Sequence, residues 1–485
     1  MTRRFYEILI PTITFNIILF PVWMSFFKPH WVAYFIIAFD LYFFYKSVTV
    51  AFYAVLSYKR IAYANTLDFP KLLQDKKLKH KASEILHLIV IPNYKEPLHI
   101  LEKTLNKVLE SDYPFKDKIY VVLAFEEREE AAREKYQLLE KKFSSNLRLL
   151  ATYHKILPGE VVGKASNQSY AVKKVCEQFQ KKQIDIAKVL VTVCDADSLL
   201  SKNYLSYLTY KFLNDSQRDF HFYWAPLLLY NNFEVLPFFV RLQATISSIL
   251  RLAFLSQEDK LIQISTYSVN LKLLKNIGFW DTDIIPEDWH IYLQAFLKYG
   301  PRVKTVPVYT LLSGDAVYAG SVWNTFFNRY EQEKRWAWGV TDVIYFLENF
   351  WKSKVGFFDK LKKLIYVTET HLLWPTTFFI VTISANIPPL VNQHFAKTTF
   401  GFYLPKISAF ILTMSTLFLI VYIYIDFKIR HKLNKKMKVS HIPFYFIQWY
   451  ALPVISFLLS ALPALEAHTR LFLNKKIEYK VTEKV

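Results

Sequence analysis

Two carboxylates one residue apart, Asp195 and Asp197, close the apolar run 187–193. On an extended strand such residues point to the same side, about 6–7 Å apart. Both are therefore expected to converge at the carboxyl end of a buried strand, where open α/β sheets bind ligands. A pair of hard oxygen ligands suits Mg²⁺ or Mn²⁺, which keeps its other positions for water and phosphate oxygens. Acidic turns after strands are common, so the pair gains weight only from what accompanies it.

Three other constellations accompany it. The acidic pair Glu287-Asp288 stands before an amphipathic helix expected at 291–298; a carboxylate there either takes a proton from an attacking hydroxyl or caps the helix. In Gln332-Glu333-Lys334-Arg335-Trp336 the helical spacing puts Gln332, Arg335 and Trp336 on one face. Amide, guanidinium and indole together suit a diphosphate beside a sugar ring, although Trp and Arg also anchor plain interfacial helices. Lys164 lies in a glycine-flanked stretch, 159–167, that opens a helix and fits a diphosphate contact. It is not a P-loop, because Ala165 follows the lysine.

In order and approximate spacing these pieces, with Ile91-Pro92-Asn93-Tyr94-Lys95-Glu96, resemble the membrane-integrated family 2 glycosyltransferases, among them cellulose, hyaluronan, chitin and mannan synthases. The resemblance covers about 85–340 in motifs and the flanks in layout only. It implies an inverting transfer of sugar from a UDP- or GDP-linked donor to a carbohydrate or lipid-linked acceptor, with Mg²⁺ or Mn²⁺ as cofactor. Tyr94 and Glu96 would help hold the base, Lys164 the diphosphate and Asp195 the nucleotide, while Asp197 would bind the metal. Asp288 would be the general base, Gln332 and Arg335 would hold pyrophosphate, and Trp336 would shape the acceptor site. The family's acidic pair ending the second strand is replaced by Leu123-Ala124-Phe125 before Glu126-Glu127.

These residues need a sheet to position them. Apolar runs at 86–92, 118–125 and 187–193 read as buried strands, and 100–110 and 129–143 as helices covering them. The fold class expected is α/β: a GT-A-like nucleotide-sugar-binding domain inserted between transmembrane helices, with amphipathic interface helices. Residues 1–60 form a transmembrane hairpin, 83–320 the catalytic domain, 321–366 interface helices, 367–466 a C-terminal transmembrane region and 467–485 a basic tail. The run 237–255, with Arg241 and Arg251, suits an interface helix or an ordinary core helix. Pro453 and Pro463 interrupt the last apolar run, which is expected to be broken or re-entrant.

Composition agrees with that division. The chain of 485 residues is 53% hydrophobic yet 21% charged, with a formal net charge of +20. The basic excess crowds after an apolar run, at Lys428, Arg430, Lys432, Lys435, Lys436 and Lys438. This placement favours membrane lipids over nucleic acid as the partner and places that flank and the catalytic domain in the cytosol, at the plasma membrane. Two cysteines, Cys176 and Cys194, exclude a disulfide framework and a CxxC metal site. The first apolar run, 8–27, is long for a signal sequence and reads as a retained anchor. Single sugar addition to a glycolipid, transport by a protein with a degenerate soluble domain, and glycoside hydrolysis are the competing readings. The last lacks a use for Lys164 and Arg335, since its leaving group is not anionic.

Overall fold

The computed structural model describes residues 2–433 and 442–478. Lys435, Lys436 and Lys438 of the basic cluster and 479–485 of the tail lie outside the described residues.

Runs of β-branched and aliphatic residues build a seven-stranded sheet in the order β3-β2-β1-β4-β7-β5-β8. Its strands are β1 (Leu86–Asn93), β2 (Ile119–Glu126), β3 (Arg148–His154), β4 (Val189–Val193), β5 (His221–Trp224), β7 (Tyr267–Asn270) and β8 (Lys304–Pro307). A short pair, β6 (Leu227–Leu228) and β9 (Leu312–Ser313), stands apart. The first four strands are parallel, and β7 runs antiparallel to both β4 and β5. From β1 the chain winds outward to β2 and β3, then returns through the Lys164–Lys181 helix to β4 on the other side of β1. The order reverses between β1 and β4, and a crevice is expected at their carboxyl ends.

Side chains alternate across the sheet as a two-residue period demands. Ile89, Ile91, Val121 and Leu123 join one apolar cluster, which also holds Leu101, Leu105 and Leu139 from the Leu98–Leu109 and Ala132–Phe143 helices. Leu88, Val90, Val122 and Val191 join the other, which continues without interruption to Ile10, Ala54, Ile425 and Leu459. One face of the sheet therefore shares its core with the apolar helices.

Among the described residues five helical stretches are long and apolar enough to cross a membrane: Arg3–Phe27, Pro29–Ala64, Phe238–Leu255, Thr399–Lys432 and Tyr445–Phe472. The first two form the expected hairpin, but the second runs to Ala64, past the anticipated boundary at 60. Its polar residues meet neighbouring helices: Asp40 accepts from Ser408 at 2.6 Å, and Lys46 pairs with Glu369 at 2.6 Å. Phe238–Leu255 is a buried packing helix rather than an interfacial one; Arg251 is 7% exposed and bonds the Leu227 carbonyl at 2.8 Å.

The interface segment holds two helices, Val322–Ala337 and Val340–Phe350, that meet at Trp338-Gly339. The boundary at 366 falls inside one continuous helix, Phe357–Thr382, because its amphipathic start and apolar end share an uninterrupted backbone pattern. That helix runs antiparallel to Pro29–Ala64, from Glu369 beside Lys46 towards Ala385 beside Val32 and Ala33. Thr399–Lys432 then returns alongside it, from Phe400 stacked on His30 to Tyr422 bonding the Ser47 carbonyl.

The last apolar run keeps both ends on the side of the α/β domain. Tyr445 bonds Asp426, which also takes Tyr230 of the domain. At the other end Arg4 bonds the Leu471 carbonyl at 2.9 Å, next to Arg3, which pairs with Glu348 at 3.7 Å. Pro453 and Pro463 fall in the first turns of helical segments, and Phe457–Ala461 between them is a π-helix. Proline in a first turn leaves no broken hydrogen bond behind it.

Candidate active site

Lys164 opens its helix directly after Gly163, whose φ of 152° lies where only glycine is at ease. Its ammonium reaches across the β1/β4 switch and pairs with Asp195 and Glu287, each at 2.7 Å. Burial disfavours the charge, yet the two carboxylates hold the Lys164 pKa well above its ordinary value. Ser265, just before β7, completes the junction. Its carbonyl accepts from Lys164 at 3.3 Å, its hydroxyl bonds Asp195, and its amide donates to Asp288 at 2.9 Å. At φ 66° Ser265 is one of few non-glycine residues in the left-handed region, a conformation held only where the surroundings insist on it.

The Glu287–Tyr299 helix brings the acidic pair to this junction. Asp288 does not act as the N-cap, a position that falls to Pro286. Instead its two oxygens accept from the Ser265 and Trp289 amides, at 2.9 and 2.8 Å. Burial raises the Asp288 pKa, while those amides and Lys164 hold it back. Burial likewise pushes the Glu287 carboxyl up to about 7, against the pull of Lys164. One helical step on, His290 is clamped between Asp342 at 2.7 Å and Asp281 at 2.9 Å. Burial works against its charge, but both carboxylates overcome this and lift its pKa to about 9.

Asp195 and Asp197 do not share a strand face. β4 ends at Val193, and the pair lies in the following turn, closed by the Ser198 amide on the Asp195 carbonyl at 2.8 Å. A turn lacks the two-residue period, and the carboxylates have different partners: Asp195 meets Lys164 and Ser265, while Asp197 accepts from the Asp315 amide at 3.0 Å. Among the described residues no three His, Cys, Asp or Glu side chains are arranged to hold a metal ion by themselves. The residues present fit a divalent cation held by Asp197, 6% exposed, with its remaining positions left to water and donor oxygens.

Gln332, Arg335 and Trp336 share a face of the Val322–Ala337 helix, as the spacing predicts. The Arg329 guanidinium lies over the Trp336 ring at 4.7 Å, and that of Arg251 at 5.7 Å. Arg251 is also within electrostatic reach of Asp195 and Asp288, which joins this face to the Lys164 junction. At the other end of the crevice Tyr94 and Glu96 follow β1. The Arg128 guanidinium covers the Tyr94 ring at 3.8 Å and pairs with Glu126, the buried last residue of β2. The loop is fixed from behind: Lys95 donates its amide to Glu129 at 2.7 Å, and Lys135 bonds the Glu96 carbonyl at 2.8 Å.

Residues 190–426 match the family described as Glycosyl transferase family group 2. The poly-beta-1,6-N-acetyl-D-glucosamine synthase of Staphylococcus epidermidis is 25% identical over 217 residues, 42% of this chain. The match spans 45% of that relative's length. The family match, just under half of the chain, includes Asp195, Asp197, Asp288 and the Gln332 motif. Solved structures similar to it include the mannosyltransferase PcManGT of Pyrobaculum calidifontis in complex with GDP-Man and Mn²⁺, at 14% identity and TM-score 0.41, covering 83% of this chain and all of that one. Residues 1–349 of S. aureus TarS in complex with UDP follow, at 12% identity and TM-score 0.37, covering 68% and 90%.

Within the α/β domain, Lys164, Asp195 and Asp288 meet through Ser265. Asp197 is held one turn away, and the Gln332 face approaches through Arg251. Reading the sequence missed Ser265, Glu287 as a partner of Lys164, Arg251, Arg329 and Arg128. Only Arg128 and Glu287 stood beside quoted motifs. Arg329 stands three residues before Gln332, a helical spacing that could have found it; Ser265 and Arg251 carry no spacing signal, because their roles arise from packing between elements distant in the chain.

Proposed function

We propose that this is a membrane-integrated, inverting glycosyltransferase that moves a sugar from a UDP- or GDP-linked donor onto a growing carbohydrate. The observation that carries the reading is the Lys164 junction, a buried cation at the switch point with the Asp288 carboxylate beside it, joined through Ser265. A cation there meets the diphosphate of a leaving nucleotide, and Asp288 is placed to take the proton of the attacking hydroxyl. Donor binding exchanges the Asp195 and Glu287 partners of Lys164 for phosphate oxygens. Asp197 would hold Mg²⁺ or Mn²⁺, which would supply further positive charge for the leaving diphosphate. Tyr94 and Glu96 close the base end, Gln332 and Arg335 grip the diphosphate, and Trp336 borders the acceptor.

The apolar helices support membrane integration. The hairpin, the Phe357–Thr382 helix and Thr399–Lys432 cross the bilayer, while Tyr445–Phe472 enters and leaves on the domain side. The α/β domain and the tail then share the cytosolic face of the plasma membrane, the face that holds nucleotide sugars. A carbohydrate polymer is favoured as product by the curated relative, whose name is that of a polysaccharide synthase.

Purified protein in nanodiscs, given UDP-N-acetylglucosamine, UDP-glucose or GDP-mannose, is to release nucleoside diphosphate and lengthen a carbohydrate product. Chelation with EDTA is to abolish release and added Mn²⁺ or Mg²⁺ to restore it. Asp197→Ala is to stay inactive with metal present. Release unaffected by EDTA and by Asp197→Ala sinks the assignment, and products one sugar long sink the polymer reading.

A further inference from the structure

We propose that Arg329 is a positioning residue that fixes the orientation of the Gln332 amide, so that its NH₂ group and not its oxygen is offered to the donor diphosphate. The inference rests on the diphosphate-binding reading of Gln332 and names what makes that amide competent.

Arg329 lies one helical turn before Gln332, is 2% exposed, and bonds the Gln332 Oε1. An arginine side chain has donors and no acceptor, so the amide atom facing it must be the oxygen. The opposite end of a planar amide then carries only donors. Free in solution, a glutamine presents either end to an anion, and the oxygen end repels it.

Arg329 is in turn fixed from three sides. Its Nε donates to the Gln243 Oε1 at 2.7 Å, its other nitrogen pairs with buried Glu333, and its plane covers the Trp336 ring at 4.7 Å. Gln243 is oriented by the same rule. With its oxygen on Arg329, its Nε2 donates to Glu333 at 2.7 Å and to the Leu459 carbonyl at 2.6 Å. Leu459 lies in the π-helical segment Phe457–Ala461, whose altered pairing exposes carbonyls that an α-helix would use internally. The hydrogen bonds therefore run outward from Arg329, to Gln332 on one side and through Gln243 to the Leu459 carbonyl on the other. Glu333 balances the buried guanidinium, so no unpaired charge is stored. Gln332 itself is only partly buried, with room to meet a ligand.

The test compares Gln332→Glu, Gln332→Ala, Arg329→Ala, Arg329→Lys and the double alanine variant in nanodiscs. UDP and GDP affinity with Mn²⁺ is read by calorimetry, donor KM and kcat by diphosphate release, and unfolding temperature separately. Gln332→Glu preserves an acceptor for Arg329 and removes the donors. It is expected to weaken diphosphate binding about tenfold or more without lowering the unfolding temperature. Arg329→Ala and Gln332→Ala are each expected to raise donor KM by about tenfold, and the double variant no further, since both remove one function. Arg329→Lys recovers part of the affinity by retaining a donor to Oε1. Wild-type affinity in Gln332→Glu overturns the proposal, as do losses in the two alanine variants that multiply. Should Arg329→Ala not fold, Gln332→Glu decides alone. Binding of UDP or GDP without sugar transfer would sink the transferase reading and leave this one standing; binding of neither overturns both.

Discussion

Asp288 holds its carboxylate by two backbone amides and no side-chain cation, so replacing it removes a proton acceptor without unpairing a buried charge. Asp288→Asn is therefore expected to lower kcat by about 10²–10⁴-fold, the usual worth of a general base, with donor KM nearly unchanged. Steady-state diphosphate release measures both. Lys164 is the contrasting case, because its removal leaves Asp195 and Glu287 facing one another at a buried junction. Lys164→Ala is expected to raise donor KM and lower the unfolding temperature together, and Lys164→Arg to recover stability ahead of affinity. Calorimetry and thermal unfolding separate the two effects. An effect on stability with unchanged donor affinity would remove Lys164 from the diphosphate site.

Helix-to-helix ties decide how these residues are held. His290 on the Glu287–Tyr299 helix binds Asp342 on the Val340–Phe350 helix, directly after the Gln332 motif, and Asp281 in the preceding loop. Its pKa is lifted from 6.5 to about 9, so the native state keeps a proton that the unfolded chain releases earlier. The stabilisation is complete below pH 6.5 and is lost as pH rises through about 9. Thermal unfolding from pH 6 to 10 is expected to follow that course, and His290→Asn to flatten it. Breaking such a buried pair costs roughly 3–5 kcal/mol, so the variant also starts less stable. An unchanged pH profile in His290→Asn would show that the tie carries no charge. The alternation of Leu88, Ile89, Val90 and Ile91 across β1 made the sheet legible in the sequence. Where β4 stops was not legible: it ends at Val193, so Asp195 and Asp197 lie in the turn after it and not on the strand.

At the scale of the molecule, the same side is reached by the start of Arg3–Phe27, the end of Thr399–Lys432 and both ends of the last apolar run. With native Cys176 and Cys194 buried, single cysteines placed at Asn474 and Lys79 are expected to label from one side of sealed vesicles, and one at Lys28 from the other. Labelling of the Asn474 and Lys28 positions from the same side would refute the four-crossing arrangement. Several things were decided by the amino-acid order alone. Apolar period and run length set the sheet and the long apolar helices, and four ordered motifs gave the resemblance to family 2 glycosyltransferases, because these are local properties of side-chain type and spacing. Only the tertiary structure decided that Ser265 joins Asp195 to Asp288, that Arg329 turns the Gln332 amide, and that the last helix returns to the domain. The Arg329 bond to Gln332 lies within one helix, but Gln243 fixes that arginine from 86 residues away; the other two likewise depend on which distant segments pack together, and burial in a shared core, unlike periodicity, leaves no mark on the spacing of the residues it joins.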